Sequence, residues 1–101
     1  MPKIYEYLGI IFLLYPHDHA PVHVHIVYNE YESKIELIYE KGKLCNIVIK
    51  KVKGKKPIPK YKHSELRKFV KKYNKNISEK WMMFQVYGKK PKYERITKKI
   101  L

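Results

Sequence analysis

Through the first half of the chain apolar and polar residues tend to alternate, whereas in the second half the apolar positions recur at a helical step. Alternation marks a strand with one buried face, because successive side chains leave a pleated backbone on opposite sides. Residues 3–7 read as a short strand turned at Gly9, and residues 10–15 as a buried strand ended by Pro16. Residues 17–21 read as a loop, since Pro21 lacks a donor and biases Ala20 toward extended geometry. In the third predicted strand, residues 23–28, Val24, Ile26 and Tyr28 share one face and His23, His25 and Val27 the other. A polar connection over residues 29–32 follows. Residues 33–40 and 43–51 then flank Lys41-Gly42, a hairpin signal. In this hairpin Ile35, Leu37 and Tyr39 alternate with Lys34, Glu36 and Ile38, and Cys45, Ile47 and Ile49 with Asn46, Val48 and Lys50.

After Pro59 the period changes. Leu66, Phe69, Val70 and Tyr73 stand at i, i+3, i+4 and i+7, one stripe of a helix over residues 64–74 with Ser64 as its N-cap. Ile77, Trp81 and Phe84 predict a second helix over residues 77–84, capped by Asn76 or Ser78 and ended by Gly88 and Pro91. Ile96 and Ile100 fit either a helical step or a final strand. No internal repeat is present. The predicted architecture is α+β: an antiparallel sheet of four to five strands followed by two helices packed on one face, in a single domain over residues 1–101.

The composition narrows the class. A chain of 101 residues with 45% apolar residues suits one packed core. Cys45 is the only cysteine, which excludes an internal disulfide and a zinc site built on cysteines, and fits a reducing cytoplasm. The start of the chain lacks the pattern of a signal peptide. The longest apolar run, residues 10–15, is too short to span a bilayer. No membrane association is therefore expected, and Cys45 reads as a small buried residue.

Charge changes the picture more. The net charge is +14, but residues 1–40 carry −4 and residues 41–101 carry +18. Such a field attracts polyanions, among which RNA or the ribosome is the expected partner. Against this, lysine outnumbers arginine 21 to 2, and arginine is the preferred residue for bidentate phosphate contacts. The run over residues 50–62 holds seven lysines in 13 residues. Lys50, Lys51, Lys53, Lys55 and Lys56 are its candidate phosphate contacts, on what reads as an exposed, semi-extended loop; the plainer reading is a solvated linker.

The candidate chemistry lies elsewhere. Four of the five histidines, His17, His19, His23 and His25, fall within Y-P-H-D-H-A-P-V-H-V-H. Imidazole titrates near neutral pH and is the commonest metal ligand. His23 and His25, two apart on a strand, leave the same face about 6.5–7 Å from each other. That spacing lets both reach one ion at about 2.0–2.1 Å, with His19, His17 or Asp18 as a third ligand, so zinc or another divalent metal is one candidate cofactor. Metal-free acid–base chemistry, as in RNA cleavage through 2′-hydroxyl attack, needs only His19, His23 and His25 and no cofactor. A third reading has these histidines shaping a proline-rich loop through hydrogen bonds to backbone. His63 reads as a capping or solvent-facing residue, and Trp81, Met82, Met83 and Phe84 as the helix face that fills the core.

Several segments together resemble one family. They are I-Y-E-Y-L-G-I-I-F, the histidine segment, K-G-K-K-P-I-P, W-M-M-F and E-R-I-T-K-K-I, and the family is domain-of-unknown-function family 4160, small bacterial proteins. Asp18, His19, Pro21, His23 and His25 carry the most specific part of the likeness. His17 stands where a small polar residue is expected, which weighs against a four-histidine site. The resemblance implies a cytoplasmic component of a toxin–antitoxin pair with a cognate small protein partner. It supplies no catalytic residue, substrate or cofactor.

Three functions follow as expectations. The first is a toxin component acting on RNA or the ribosome, with His19, His23 and His25 as acid–base groups and the lysine run on phosphates. The second is a non-enzymatic binding or regulatory partner in such a complex. The third is a metal-dependent hydrolase using the same histidines.

Overall fold

The computed structural model describes residues 2–16 and 21–100. Among the described residues six strands form one sheet: β1 (Lys3–Tyr7), β2 (Ile10–Leu13), β3 (Val22–Tyr28), β4 (Tyr31–Glu40), β5 (Lys43–Lys51) and β6 (Glu94–Ile96), with one α-helix, α1 (His63–Gln85), between β5 and β6. The order across the sheet is β5-β4-β3-β2-β1-β6. The first five strands form an antiparallel meander, and β6 lies parallel to β1 through the register Tyr5 to Glu94, Glu6 to Arg95 and Tyr7 to Ile96.

Two-residue turns join β1 to β2, β3 to β4 and β4 to β5. Leu8 and Gly9 have φ of 48° and 85°, and Lys41 and Gly42 have 53° and 78°. Paired left-handed residues match the right-handed strand twist and close a hairpin without splaying it. The third turn, Asn29-Glu30, is shorter than the predicted connection: β4 already begins at Tyr31, and Asn29 takes a φ of 55°.

The helix packs on one face of the sheet. Phe69 lies 5.3 Å from Tyr5, 4.8 Å from Tyr7, 4.7 Å from Phe12 and 4.7 Å from Tyr73, ring centre to ring centre. Around these rings Ile10, Val24, Ile26, Ile35, Leu37, Leu66, Val70 and Ile77 are fully enclosed. Ile58, in the segment between β5 and α1, closes the core beside β4: its backbone N–H donates to the buried Ser33 Oγ at 2.9 Å.

Three expectations of the fold are corrected. The sheet has six strands rather than four or five, and it is mixed rather than antiparallel. The helical region is one helix of 23 residues, not two. No glycine or proline interrupts residues 63–85, and the step from Tyr73 to Ile77 continues the apolar stripe without a break. Asn74 and Ser78, near the expected break, instead face the sheet mid-helix. The Tyr39 hydroxyl donates to the Asn74 carbonyl at 3.1 Å and stands 2.6 Å from Ser78 Oγ. Such a helix is about 34 Å long, which matches the longest dimension of the molecule, 34 Å.

Two smaller expectations also change. Cys45 is exposed, not buried. A bulge pairs Ile38 with Asn46 and Tyr39 with Leu44, so Cys45 between them has no partner opposite and leaves the core face. Of the four residues 81–84, Trp81 is buried and Phe84 packs on the core, whereas Met82 and Met83 are each 40% exposed.

Candidate functional site

Strand β3 lies in the interior of the sheet, and its sequence V-H-V-H-I-V-Y sends alternate side chains to opposite faces. Val24 and Ile26 enter the core under the helix. His23 and His25 leave together on the other face, as the two-residue spacing predicts. Their ring centres are 5.9 Å apart at an interplanar angle of 62°. Both are nearly enclosed, with 8% and 9% of their surface exposed.

Their neighbours shape what they can do. The Tyr15 ring stacks on His25 at 3.7 Å and 21°. The Tyr15 hydroxyl donates to Glu32 Oε2 at 3.1 Å, and His25 Nδ1 lies 3.6 Å from the same oxygen. Gln85, the last residue of α1, donates to the Tyr15 carbonyl at 2.6 Å, so the helix end ties this segment in place. His23 Nδ1 stands 2.9 Å from the Pro21 carbonyl. A carbonyl only accepts, so Nδ1 carries the proton in the neutral ring, and the basic nitrogen is Nε2.

Glu32 and Tyr15 are the members that the sequence reading missed. The sequence pattern predicts Glu32 in a polar connection; the tight Asn29-Glu30 turn makes it a strand residue opposite Val27, on the histidine face. The period-2 pattern, extended back by two residues, carries that signal. Tyr15 reaches His25 only through the return of the chain after β2, which local sequence does not encode.

The other candidates fall out as follows. His19, with His17 and Asp18, lies outside the described residues. Lys50 shares the histidine face, in the row that runs Leu13, His25, Lys34, Lys50 across four strands. Its Nζ is held 3.0 Å from Glu36 Oε1. Lys51 pairs with the buried Ser33, so its parity is that of the helix face. Lys53, Lys55 and Lys56 are exposed. Lys56 is tethered beside β4, bridged to Tyr31, and its carbonyl accepts from the Glu32 N–H at 2.8 Å. The lysine run is therefore anchored along β4 at its far end rather than a loose loop. His63 at the helix start places Nε2 3.1 Å from the Ile58 carbonyl. Among the described residues no group of three or more His, Cys, Asp or Glu is arranged to hold a metal ion. The hydrolase reading needs a third ligand from residues 17–20.

These features define a class: a small mixed sheet with one helix over one face and a histidine pair, a carboxylate and a tyrosine on the other. The chain belongs to the family described as Domain of unknown function (DUF4160), whose model matches residues 9–82. That match covers β2 through most of α1 and includes the whole histidine site. No curated protein and no solved structure matches the chain. Among the described residues no helix is long and apolar enough to cross a membrane.

Proposed function

We propose that this chain is a component of a toxin–antitoxin pair that acts on RNA, free or in the ribosome, by metal-free acid–base chemistry. One observation carries the reading: two imidazoles leave one face of β3 with ring centres 5.9 Å apart, the Nδ1 of His23 lying 2.9 Å from a backbone carbonyl and that of His25 3.6 Å from a carboxylate. Unequal surroundings let two like groups take opposite roles. His23 Nε2 accepts the proton of a 2′-hydroxyl as its oxygen attacks phosphorus. The bond from phosphorus to the 5′-oxygen breaks, and protonated His25 supplies the proton to that leaving oxygen. Glu32 holds the charge on His25 and orients its ring, while the Tyr15 ring fixes its plane. His19 remains a candidate third group. A cognate small protein partner would cover this face and suppress the activity.

The test is cleavage of a short RNA by the purified chain in the presence of a chelator. The reading expects a cyclic 2′,3′-phosphate product, no cleavage of the 2′-deoxy analogue, and loss of activity in His23→Gln and His25→Gln. It fails if RNA stays intact at every concentration, or if both variants cleave as the parent does.

The near-complete enclosure of both histidines favours a second reading, a non-enzymatic binding or regulatory partner in such a complex. In that case expressing the chain alone does not arrest growth. The two substitutions then lower the melting temperature, because each strands a hydrogen-bonded neighbour.

A further inference from the structure

A second concentration of chemistry lies on the helix side of the sheet. An open groove of about 640 Å³ runs between α1 and the segment after β6. Lys68, Lys71 and Lys72 form one wall, and Lys98 and Lys99 the other. Ile96 and Ile100 form part of its floor and pack on the core, and the Ile100 N–H donates to the Tyr7 hydroxyl at 3.0 Å. Among the described residues no acid lines the groove, and none of its five lysines makes an ion pair. Elsewhere lysines find carboxylates: Lys50 has Glu36, Lys62 has Glu65, and Lys80 has Glu94. Five ammonium groups facing one another across a cleft repel, and a bound polyanion removes that repulsion.

We infer that this groove binds the phosphate backbone of single-stranded RNA. The helix wall presents Lys68, Lys71 and Lys72 at i, i+3 and i+4, on one side of α1 and within about 6 Å along its axis. The second wall is supplied by a different part of the chain, so a strand lying in the groove is contacted from both sides. Concavity selects a narrow, chain-like polyanion over a flat anionic membrane. Lysines act as point charges without the planar fork that reads a base, so the contact is indifferent to sequence. Because the groove and the histidine pair are on opposite sides of the sheet, this site stands apart from the proposed catalytic reading. It also differs from the lysine run over residues 50–56, of which no residue lines it.

The experiment measures binding of a 2′-O-methyl RNA of about 16 nucleotides, the upper end of a usual site size, by fluorescence anisotropy against salt. This RNA cannot undergo 2′-hydroxyl attack, so the result is independent of whether the histidines are catalytic. Five phosphate contacts on a single strand predict a slope of log K against log salt near about −3.5, or about 100-fold weaker binding for a fourfold rise in salt. The triple variant Lys71→Gln, Lys72→Gln, Lys99→Gln should flatten the slope to about −1.4, about sevenfold over the same range. The triple variant Lys43→Gln, Lys89→Gln, Lys90→Gln removes the same net charge from exposed positions that do not line the groove and should keep a slope near about −3.5. All six lysines are solvent-facing, and circular dichroism checks that both variants fold. Equal flattening by the two variants would mean that net charge alone drives binding, which overturns the inference. So would an unchanged slope in the groove variant. Failure to bind RNA, with lysine-dependent binding to vesicles of phosphatidylserine and phosphatidylcholine, overturns it in favour of a membrane surface.

Discussion

The two faces of the sheet are built from the same strands and follow opposite rules. Under α1 the side chains are Tyr5, Tyr7, Phe12, Val24, Ile26, Ile35 and Leu37, all nearly or fully buried, and their rings meet Phe69 edge-on, stacked or tilted. On the other face, His23, His25, Glu32, Lys34, Glu36 and Lys50 occupy the intervening positions of β3, β4 and β5. The first face gains stability from area removed from water and from close packing. The second gains little from its ion pairs: Lys50, half exposed, and Glu36 form a surface pair worth about 0–1 kcal/mol. One strand, β3, supplies side chains to both faces.

The largest test of this contrast is Phe69→Ala. It removes a ring that touches four others and leaves a cavity in the dry face, so we expect a loss of about 3–5 kcal/mol in urea unfolding. A loss below about 1 kcal/mol would show that the helix is not the principal lid of the core. Next comes Tyr39→Phe, which deletes the hydroxyl joining β4 to Asn74 and Ser78 in the middle of α1. We expect a cost of about 1–2 kcal/mol, with amide exchange quickening around residues 74–78. No change in exchange there would remove the claim that this contact braces a continuous helix.

On the histidine face the expected effects are smaller. Glu32→Gln keeps an acceptor for the Tyr15 hydroxyl but loses the charge near His25, and should cost about 1 kcal/mol, the difference between a charged and a neutral hydrogen bond. Its effect on RNA cleavage should exceed its effect on stability. The reverse ranking would assign Glu32 to folding alone. The smallest effect at neutral pH belongs to Tyr5→Phe, since no hydrogen bond of the Tyr5 hydroxyl would be lost among the described residues. Its consequence is alkaline. Burial first, and then the nearby Glu94 charge, push the Tyr5 hydroxyl well above the usual tyrosine value of 10.0. A raised folded pKa means a contribution fully present below pH 10.0 and lost as pH rises through the folded value. The parent should therefore lose stability above that pH more steeply than Tyr5→Phe. Parallel alkaline unfolding curves would show that this ring is not held dry.

Local pattern carried much of the sheet. Alternation placed His23 and His25 on one face and Val24 and Ile26 on the other, because a period of two is a property of the pleat and needs no partner. Lys41-Gly42 marked its hairpin because few residues tolerate left-handed backbone. The apolar stripe from Leu66 to Phe84 announced helix, but the polar residues in its middle suggested a break. Asn and Ser favour caps when nothing else holds them, and here Tyr39, 35 residues before Asn74, holds them inside the helix.

What tertiary structure decided is everything that joins distant segments. Strand β6 is three residues, Glu-Arg-Ile, too short to show a period, and it exists because β1 offers an open edge. Glu32 and Tyr15 became neighbours of His25 through a strand pairing and a chain reversal. The five groove lysines, from two segments some 26 residues apart, meet only when the tail crosses the sheet edge beside α1. Sequence by itself determined which residues could face one another across a pleat or along a helix, since backbone periodicity is local. Which charged groups meet, and what each one faces, depends on contacts whose cost is loop closure and whose gain appears only in the folded chain.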